Sequence, residues 1–276
     1  MVTGVTTASF DRSNQTNSPA RVSDFRLDTY EITVGRFRKF VAAYAQTMTA
    51  PGAGKNPSNP SDTGWNTTWN SSLDTDATAL ITQLKCAPVL STSAPPTNET
   101  WTDQVGNAAS ESVPINCLNW FEAEAFCIWD GGRLPTEAEW NYAAAGGTEQ
   151  RFYPWGSSPP DCSYANFVGA MFGTSPCFSP VSYGAPNRVG SESPKGDGKF
   201  GQADLAGNVW EWVQDWYANP YANPCNDCAD LTASTYRLLR GGSFNSIAAE
   251  LTSTVRNGVD PSIHLSYSGA RCARTR

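Results

Sequence analysis

Histidine is almost absent from this sequence, and charged residues are scarce. His264 is the single His among 276 residues, and Asp, Glu, Lys and Arg together make up 16% of the chain. A zinc site built from clustered His and Cys side chains is therefore not expected. No apolar run approaches the roughly 18 residues that a membrane-spanning helix needs, so no transmembrane segment is predicted.

Basic clusters are missing as well. The chain has 19 Lys and Arg against 26 Asp and Glu, which gives a net charge of −7. Nucleic acids and anionic membranes bind positively charged surfaces, so neither is predicted as a partner. The oligomeric state is left open by the composition.

Cysteine, in contrast, is plentiful. The eight Cys are dispersed along the chain rather than set in metal-binding clusters, which predicts disulfides and an oxidising compartment. We therefore expect a secreted, periplasmic or cell-surface protein, although Met1-Val-Thr-Gly4 does not begin a signal peptide. Cys225-Asn-Asp-Cys228 could be a redox pair, but its loop setting favours a structural disulfide.

The regular part of the pattern predicts a few short elements. Apolar spacing after Thr33 predicts a helix over 34–46, and a weaker pattern predicts another over 73–84. A strand is predicted over 113–117. Asn119 and Thr136 each have Glu three residues later, so each is predicted to begin a helix with a capping box. We predict a single domain over 1–276, in which 47–112 is a polar insertion.

One segment combines aromatic residues with oxygen ligands. Asp204, Gly207, Val209 and Glu211 lie within eight residues, so carboxylates alternate with positions that offer only backbone oxygen. Calcium binds such mixtures of carboxylate and carbonyl oxygen. The alternative is an aromatic core segment in which the acids cap turns.

Four motifs carry a resemblance to a known family. They are DLAGNVWEW at 204–212, RGGSF at 240–244, GRLPTEAEW at 132–140 and GARCAR at 269–274. Together they resemble the formylglycine-generating-enzyme (sulfatase-modifying factor) family, in register over about 24–274. The resemblance implies an α+β, C-type-lectin-like fold with small antiparallel sheets, two main helices and much irregular chain.

The resemblance also narrows the disulfide pairing, which spacing alone leaves among 105 possibilities. The family's disulfide between the first long helix and the C-terminal strand falls on Cys127 and Cys272. The remaining residues would then pair Cys86 with Cys117 beside the insertion, Cys162 with Cys177 around an aromatic loop, and Cys225 with Cys228.

The catalytic residues that the resemblance implies are missing. Enzymes of the family hold copper(I) with two thiolates, three and eight residues after the Ser of the RGGS motif. Counted from Ser243, these positions are Ser246 and Leu251, and neither side chain is a substitute for a thiolate. A related branch uses three His for iron, which one His cannot provide. We therefore expect no bound copper and a catalytically inactive protein; the alternative is an oxidoreductase that modifies peptide cysteine by another route.

The stretch 244–268 is the predicted binding region. It is rich in small, hydroxyl, amide and aromatic side chains, which adaptable recognition surfaces use. Its pattern resembles the variable region of C-type-lectin-fold proteins diversified by retroelements; the alternative is a loop that drifted after catalysis was lost. The predicted ligand is a protein or a glycan. The candidate contact residues are Phe244, Asn245, Ser246, Ile247, Asn257, Val259, Ser262, His264, Leu265, Ser266 and Tyr267.

The resemblance also implies structural Ca²⁺. One family calcium site falls on Asp204, Gly207, Val209 and Glu211, and Asn166 with Phe167 resembles the start of a second. No carboxylate before Val189 completes that second site. Calcium would stabilise the fold and take no part in chemistry.

Overall fold

A computed structural model describes residues 10–11, 18–45, 49–86, 98–168, 177 and 184–276. The helices and strands are short, and long irregular segments connect them. The helices are α1 (Val34–Ala42), α2 (Ala77–Gln83), α3 (Ala108–Glu111), α4 (Trp120–Trp129) and α5 (Glu137–Ala144). The strands are β1 (Phe10–Asp11), β2 (Pro19–Arg21), β3 (Phe25–Leu27), β4 (Trp210–Trp216), β5 (Cys225–Asn226), β6 (Arg237–Arg240), β7 (Arg256–Val259), β8 (Ser268–Ala270) and β9 (Ala273–Thr275).

The largest sheet among the described residues has the order β7-β6-β4-β8. Strand β6 is antiparallel to both β4 and β7, whereas β8 runs parallel to β4. Smaller sheets join β3 to β9 and β1 to β2 and β5. The β2–β5 pair is also parallel, so the predicted small antiparallel sheets contain two parallel pairs.

The two main helices begin as their sequence patterns predict. The Asn119 side chain accepts a hydrogen bond from the Glu122 amide, and the Glu122 carboxylate accepts one from the Asn119 amide. Thr136 and Glu139 form the same capping box at α5. These reciprocal bonds satisfy amides that a helix start otherwise leaves unpaired.

Two other local predictions differ from the structure. Helix α1 ends at Ala42 rather than at residue 46. The predicted strand 113–117 is absent: only Pro114 forms an isolated bridge, to Thr33. The Asn116 side chain instead binds main-chain carbonyls of neighbouring segments, including that of Asn98.

The insertion packs onto the core rather than lying over the surface. Its Trp65, Leu80 and Leu84 are buried in the same apolar cluster as residues of α1 and α4. Within this cluster the rings of Phe37 and Phe126 stack with their centroids 5.3 Å apart. The described part of 47–112 therefore contributes to the hydrophobic core.

All eight Cys are in disulfides, and the pairs are those that the resemblance implies. Cys127 on α4 is joined to Cys272 between β8 and β9, and the other bonds are Cys86–Cys117, Cys162–Cys177 and Cys225–Cys228. Within the described ranges, none of the helices is both long and apolar enough to cross a bilayer.

Candidate binding face

The predicted binding region is held by its main chain. Arg240, fully buried at the end of β6, donates to the carbonyl oxygens of Ser253 at 2.8 Å and Thr254 at 3.0 Å, and also to that of Val255. Since these bonds involve carbonyl groups, they fix the path of the loop without depending on its side chains.

The strand that follows the loop is anchored by an ion pair. Arg256 at the start of β7 forms a bidentate contact with Glu137 of α5, with N–O distances of 2.6 and 3.0 Å. The next residues of β7, Asn257 to Val259, are half-buried and pair with β6. Beneath them the Tyr217 ring lies against Gly258, where a Cβ would approach it to 3.0 Å.

The structure divides the candidate contact residues between two areas. Residues 261–267 pack against 117–120, through main-chain bonds from Cys117 to Leu265 and from Trp120 to Pro261. The other area, 244–246, packs against 166–168 and Asn208. Phe244 and Ser246 are buried, so the prediction that they contact a ligand is corrected. The candidates that remain exposed or half-buried are Asn245, Ile247, Asn257, Val259, Ser262, His264, Leu265, Ser266 and Tyr267.

The outer face formed by β7 and 260–267 carries one titratable cluster. The His264 Nε2 atom lies 3.0 and 3.1 Å from the two carboxylate oxygens of Glu122, which is fully buried at the start of α4. Burial, and after it the negative charge of Glu122, raises the pKa of Asp74, in the insertion, to about 7. Burial alone would lower the pKa of His264, but Glu122 and Asp74 outweigh it and raise that pKa above its usual 6.5.

The pKa of His264 offers a direct test of this cluster, because the chain has no other His. In Glu122→Gln the hydrogen-bonded negative charge is lost while burial remains, so the pKa of His264 should fall below 6.5. In Asp74→Asn it should fall by less. The imidazole proton signals in an NMR titration report both values, with the exposed-site change Glu99→Gln as the control. A His264 pKa that is the same in all four proteins would show that Glu122 does not act on the ring.

The same shifts set the sign of the pH dependence of stability. A raised folded pKa of His264 contributes stability below pH 6.5 that is lost as pH rises through the folded value. The pKa of Asp74 is raised from 3.8 to about 7, so the free-energy cost of ionising this group in the folded state grows as pH rises between these values. Both groups therefore favour the folded state at mildly acidic pH.

The two segments predicted to bind metal lie against each other and are joined by a main-chain hydrogen bond. The amide of Asn208 donates to the carbonyl of Asn166 at 2.9 Å, which joins the two predicted metal segments. A Cβ on Gly207 would approach that carbonyl oxygen to 2.4 Å, so only Gly fits there. Phe167 is buried in the apolar cluster beside this contact.

Glu211 is already paired. Its two carboxylate oxygens contact Nε and Nη2 of the fully buried Arg271, each at 2.7 Å, and one also accepts from Trp140 at 2.8 Å. Burial, followed by the charges of Asp204 and Glu211, holds the pKa of Glu31 well above its usual range. Arg271 thus faces three buried carboxyl groups, and we call this set (Arg271, Glu211, Glu31 and Asp204) the Arg271 network. One guanidinium cannot balance all three in their ionised forms, which is consistent with the raised pKa of Glu31.

Asp204 and Glu192 are neighbouring carboxyl groups, and Asp204 accepts a hydrogen bond from the Gly190 amide at 2.6 Å. Burial raises the pKa of Asp204 to about 7, and the nearby charges of Glu192 and Glu211 raise it as well. One buried oxygen of Glu192, Oε2, has no hydrogen-bond partner among the described residues. No three described His, Cys, Asp or Glu residues are grouped to hold a metal by themselves, so backbone oxygens would have to complete a site.

Comparisons with known proteins identify the family. The profile described as "Sulfatase-modifying factor enzyme 1-like domain" matches residues 3–276. The chain belongs to this family. The mouse formylglycine-generating enzyme is 34% identical to it in an alignment of 171 positions that covers 58% of this chain and 44% of that protein. The chain thus spans less than half the length of that relative.

Solved structures of other proteins confirm the predicted fold. Treponema denticola variable protein 1 matches 100% of this chain and 94% of its own, with a TM-score of 0.58 and 18% identity. PvdO from Pseudomonas aeruginosa matches 98% of this chain and 92% of its own, with a TM-score of 0.62 and 20% identity. The fold is α+β and C-type-lectin-like, of the formylglycine-generating-enzyme type.

The two positions predicted to match the family's copper ligands, Ser246 and Leu251, are both buried. The Ser246 hydroxyl accepts a hydrogen bond from the Ser243 amide at 3.1 Å. Leu251 is 1% exposed and packs in an apolar cluster with Tyr153, Phe167 and Ala206. With every Cys in a disulfide, the structure places no thiol at either position.

Sequence reasoning missed the residues that support the site from other elements. Glu122 was predicted only as part of a capping box, yet it also binds His264. Arg240 and Glu137 belong to the recognised motifs, but their contacts to 253–256 are long-range in sequence. The Arg of the RGGSF motif could have indicated these contacts, because a buried arginine needs several hydrogen-bond acceptors.

Proposed function

We propose that this chain is a ligand-binding member of the family that lacks the copper-dependent chemistry. The observation that carries the proposal is that all eight Cys are in disulfides, while Ser246 and Leu251 occupy the two positions that resemble the family's copper ligands. Copper(I) favours soft thiolate and thioether ligands, and a hydroxyl or an aliphatic side chain does not replace them.

The proposed ligand is a protein or a glycan, and the proposed surface is the outer face of β7 and 260–267. Its half-buried and exposed side chains include Asn257, Ser262 and Tyr267. Arg240 and the Glu137–Arg256 pair fix the backbone beneath them. A rigid backbone with variable small and aromatic side chains is the arrangement that recognition loops use. The fold shared with a Treponema variable protein supports diversification of this face by a retroelement, which is part of the proposal.

The test compares three proteins on one glycan array and one array of extracellular proteins. The variant Asn257→Ala/Ser262→Ala/Tyr267→Ala removes side chains of the proposed face, and Ser157→Ala/Ser191→Ala changes exposed residues elsewhere. We expect the ligands of the native chain to be lost in the first variant, by about tenfold or more in Kd, and kept in the second. Equal binding by all three proteins would remove this face from the proposal.

The second candidate is an oxidoreductase that acts on peptide cysteine. It is favoured by the relatives named formylglycine-generating enzyme, such as the mouse protein. It requires a reduced, accessible thiol. We expect a mass-based count of free thiols on the non-reduced protein to give zero, and a Cys-containing peptide with Cu(I) and O₂ to remain unchanged. A reactive thiol together with peptide oxidation would establish this alternative instead.

Four disulfides also support an extracytoplasmic location, because thiols in reducing compartments stay reduced. We propose that the protein is secreted, periplasmic or on a cell surface. Protease accessibility of the chain on intact producing cells tests this location.

Structural calcium is part of the same proposal, with a ligand set that differs from the sequence prediction. Asp204 and Glu192 would hold the ion with backbone oxygens of Gly207 and Val209, while Glu211 stays paired with Arg271. The ion would favour the ionised form of Asp204, whose pKa burial raises. Asn166 and Phe167 would support this site through the contact of Asn166 with Asn208, rather than complete a second one.

Calcium should therefore stabilise the fold. The variant Asp204→Asn should separate the cost of the buried carboxylate from the stability that calcium binding adds. At about 100 times its Kd, calcium is expected to raise the free energy of unfolding by about 2.7 kcal/mol. Asp204→Asn should raise the stability of the calcium-free protein, since it removes a buried carboxylate, and should reduce the gain from calcium. Thermal melts with calcium, with magnesium and with chelator measure both. An equal calcium gain in both proteins would exclude Asp204 as a ligand.

A further inference from the structure

A cavity of about 360 Å³ lies next to the candidate binding face, since its lining residue Arg237 pairs with Val259 across the sheet. It opens between the insertion at 61–69, the start of α4, and strands β4 and β6. None of its lining residues falls within 244–268. We call it the Trp–Arg cavity, after Trp69, Trp120, Trp216 and Arg237, which line it. Its volume is within the range of about 300–1,000 Å³ that small-molecule sites occupy.

Arg237 is the unusual group in this cavity. It is 1% exposed, and its guanidinium carbon lies 3.6 Å from the ring centre of Trp120 and 3.9 Å from that of Trp216. Burial lowers its pKa to about 9. One terminal nitrogen donates to the main-chain oxygen of Gln214, but the buried Nε has no hydrogen-bond partner in the part of the chain that the structure describes. The guanidinium thus packs against both rings, and its unpartnered Nε is the group that a ligand in the cavity could satisfy.

Gln214 offers the complementary group beside it. Its Nε2 donates to a carboxylate oxygen of Asp62 at 2.9 Å, which sets the orientation of the amide. Its Oε1 is buried and has no partner among the described residues. A buried donor and a buried acceptor on adjacent residues are therefore both unsatisfied, at a cost of about 1–3 kcal/mol each. A hydroxyl group can accept from the first and donate to the second.

The charges of the cavity disfavour an anion as the ligand. Asp62 is 3% exposed and lines the cavity beside Arg237. Glu124 lines it as well, and burial raises its pKa to about 7, so it is partly protonated near neutral pH. Among the lining residues, the positive charge of Arg237 is therefore offset by the negative charge of Asp62 and by the ionised fraction of Glu124. A neutral ligand meets these charges without repulsion from them.

We propose that the Trp–Arg cavity binds a neutral sugar ring of a carbohydrate. A sugar carries hydroxyls that can donate and accept at Gln214 and Arg237, and it has apolar C–H faces for the exposed parts of Trp69 and Trp216. The rim residues Ser61, Thr63 and Ala233 are exposed, so a longer glycan can continue outward from the bound ring. This site adjoins the proposed face of β7 and 260–267 but shares no lining residue with it.

The probes are the methyl glycosides of glucose, galactose, mannose and N-acetylglucosamine, with sodium acetate as the anionic competitor. Saturation-transfer NMR detects binding, and calorimetric titration gives the Kd. Ala233→Trp narrows the mouth of the cavity from an exposed position, while Ala42→Trp adds the same ring at an exposed position on α1. We expect at least one glycoside to bind, about tenfold or more weakly in Ala233→Trp, and with unchanged Kd in Ala42→Trp.

Further variants separate this site from the proposed binding face. Gln214→Met removes the unpartnered acceptor, so it should weaken glycoside binding. A thermal melt without glycoside should show that this variant is still folded at the assay temperature. Asn257→Ala/Ser262→Ala/Tyr267→Ala should leave glycoside binding unchanged. The proposal is overturned if no glycoside binds, if Ala233→Trp binds as the native chain does, or if acetate displaces the glycoside at equal concentration.

Discussion

Replacing Arg271 by Met should lower the free energy of unfolding by about 3–5 kcal/mol, because it leaves buried carboxylates without their counter-charge. Arg271 is fully buried and bidentate to Glu211, and it also donates to main-chain oxygens including that of Ala203 at 2.8 Å. Its charge also lowers the pKa of Glu31, which burial holds high. Chemical denaturation with a fixed calcium concentration measures the loss.

An exposed ion pair supplies the matched control. Arg276 lies 2.7 Å from Asp24, but its side chain is 60% exposed, so Arg276→Met should cost no more than about 1 kcal/mol. The loss in Arg271→Met should also shrink at low pH, where the carboxyl groups it faces become protonated. Equal losses in the two variants would contradict the view that the Arg271 network governs stability here.

The second large effect is expected from the disulfide that closes the longest loop. Cys127 and Cys272 are 145 residues apart in sequence, so their bond restricts the unfolded chain strongly. Cys127→Ala/Cys272→Ala should lower the free energy of unfolding by about 2–5 kcal/mol. Denaturant unfolding of the otherwise oxidised protein measures this change.

The short Cys225–Cys228 loop is the comparison, because those residues are three apart. In the loop-entropy account its removal should cost clearly less, since the stabilisation grows with loop length. A loss in Cys225→Ser/Cys228→Ser as large as that in the long-loop variant would mean that native-state contacts, and not chain entropy, account for the effect.

Local patterns predicted those parts of the fold whose causes are local. The starts of α4 and α5 depend on Asn119 with Glu122 and on Thr136 with Glu139, and each pair lies three residues apart. The prediction for 113–117 was wrong because apolar residues at 113 and 115 suggested a strand. Pro114 has no amide hydrogen, and Asn116 uses its side chain to bind carbonyls instead.

The site depends on partners that are distant in sequence, and no local pattern reveals them. Glu211 and Arg271 are 60 residues apart, and each had been read within its own motif. The pairing of Glu211 is the reason that the proposed calcium ligands differ from the predicted ones, since its two oxygens already accept three hydrogen bonds. Likewise, nothing in the spacing of Trp120, Trp216 and Arg237 predicts that both rings pack against one guanidinium.

The contacts of Arg240 have a practical consequence for protein engineering. Arg240 donates hydrogen bonds to main-chain carbonyl oxygens of the loop, so the path of the loop is set by groups that every amino acid possesses. Randomising the neighbouring outward positions, such as Asn257 and Ser262, should therefore yield many folded variants rather than few. The chain is thus suited to serve as a display scaffold, in which a large library differs in surface chemistry while sharing one frame.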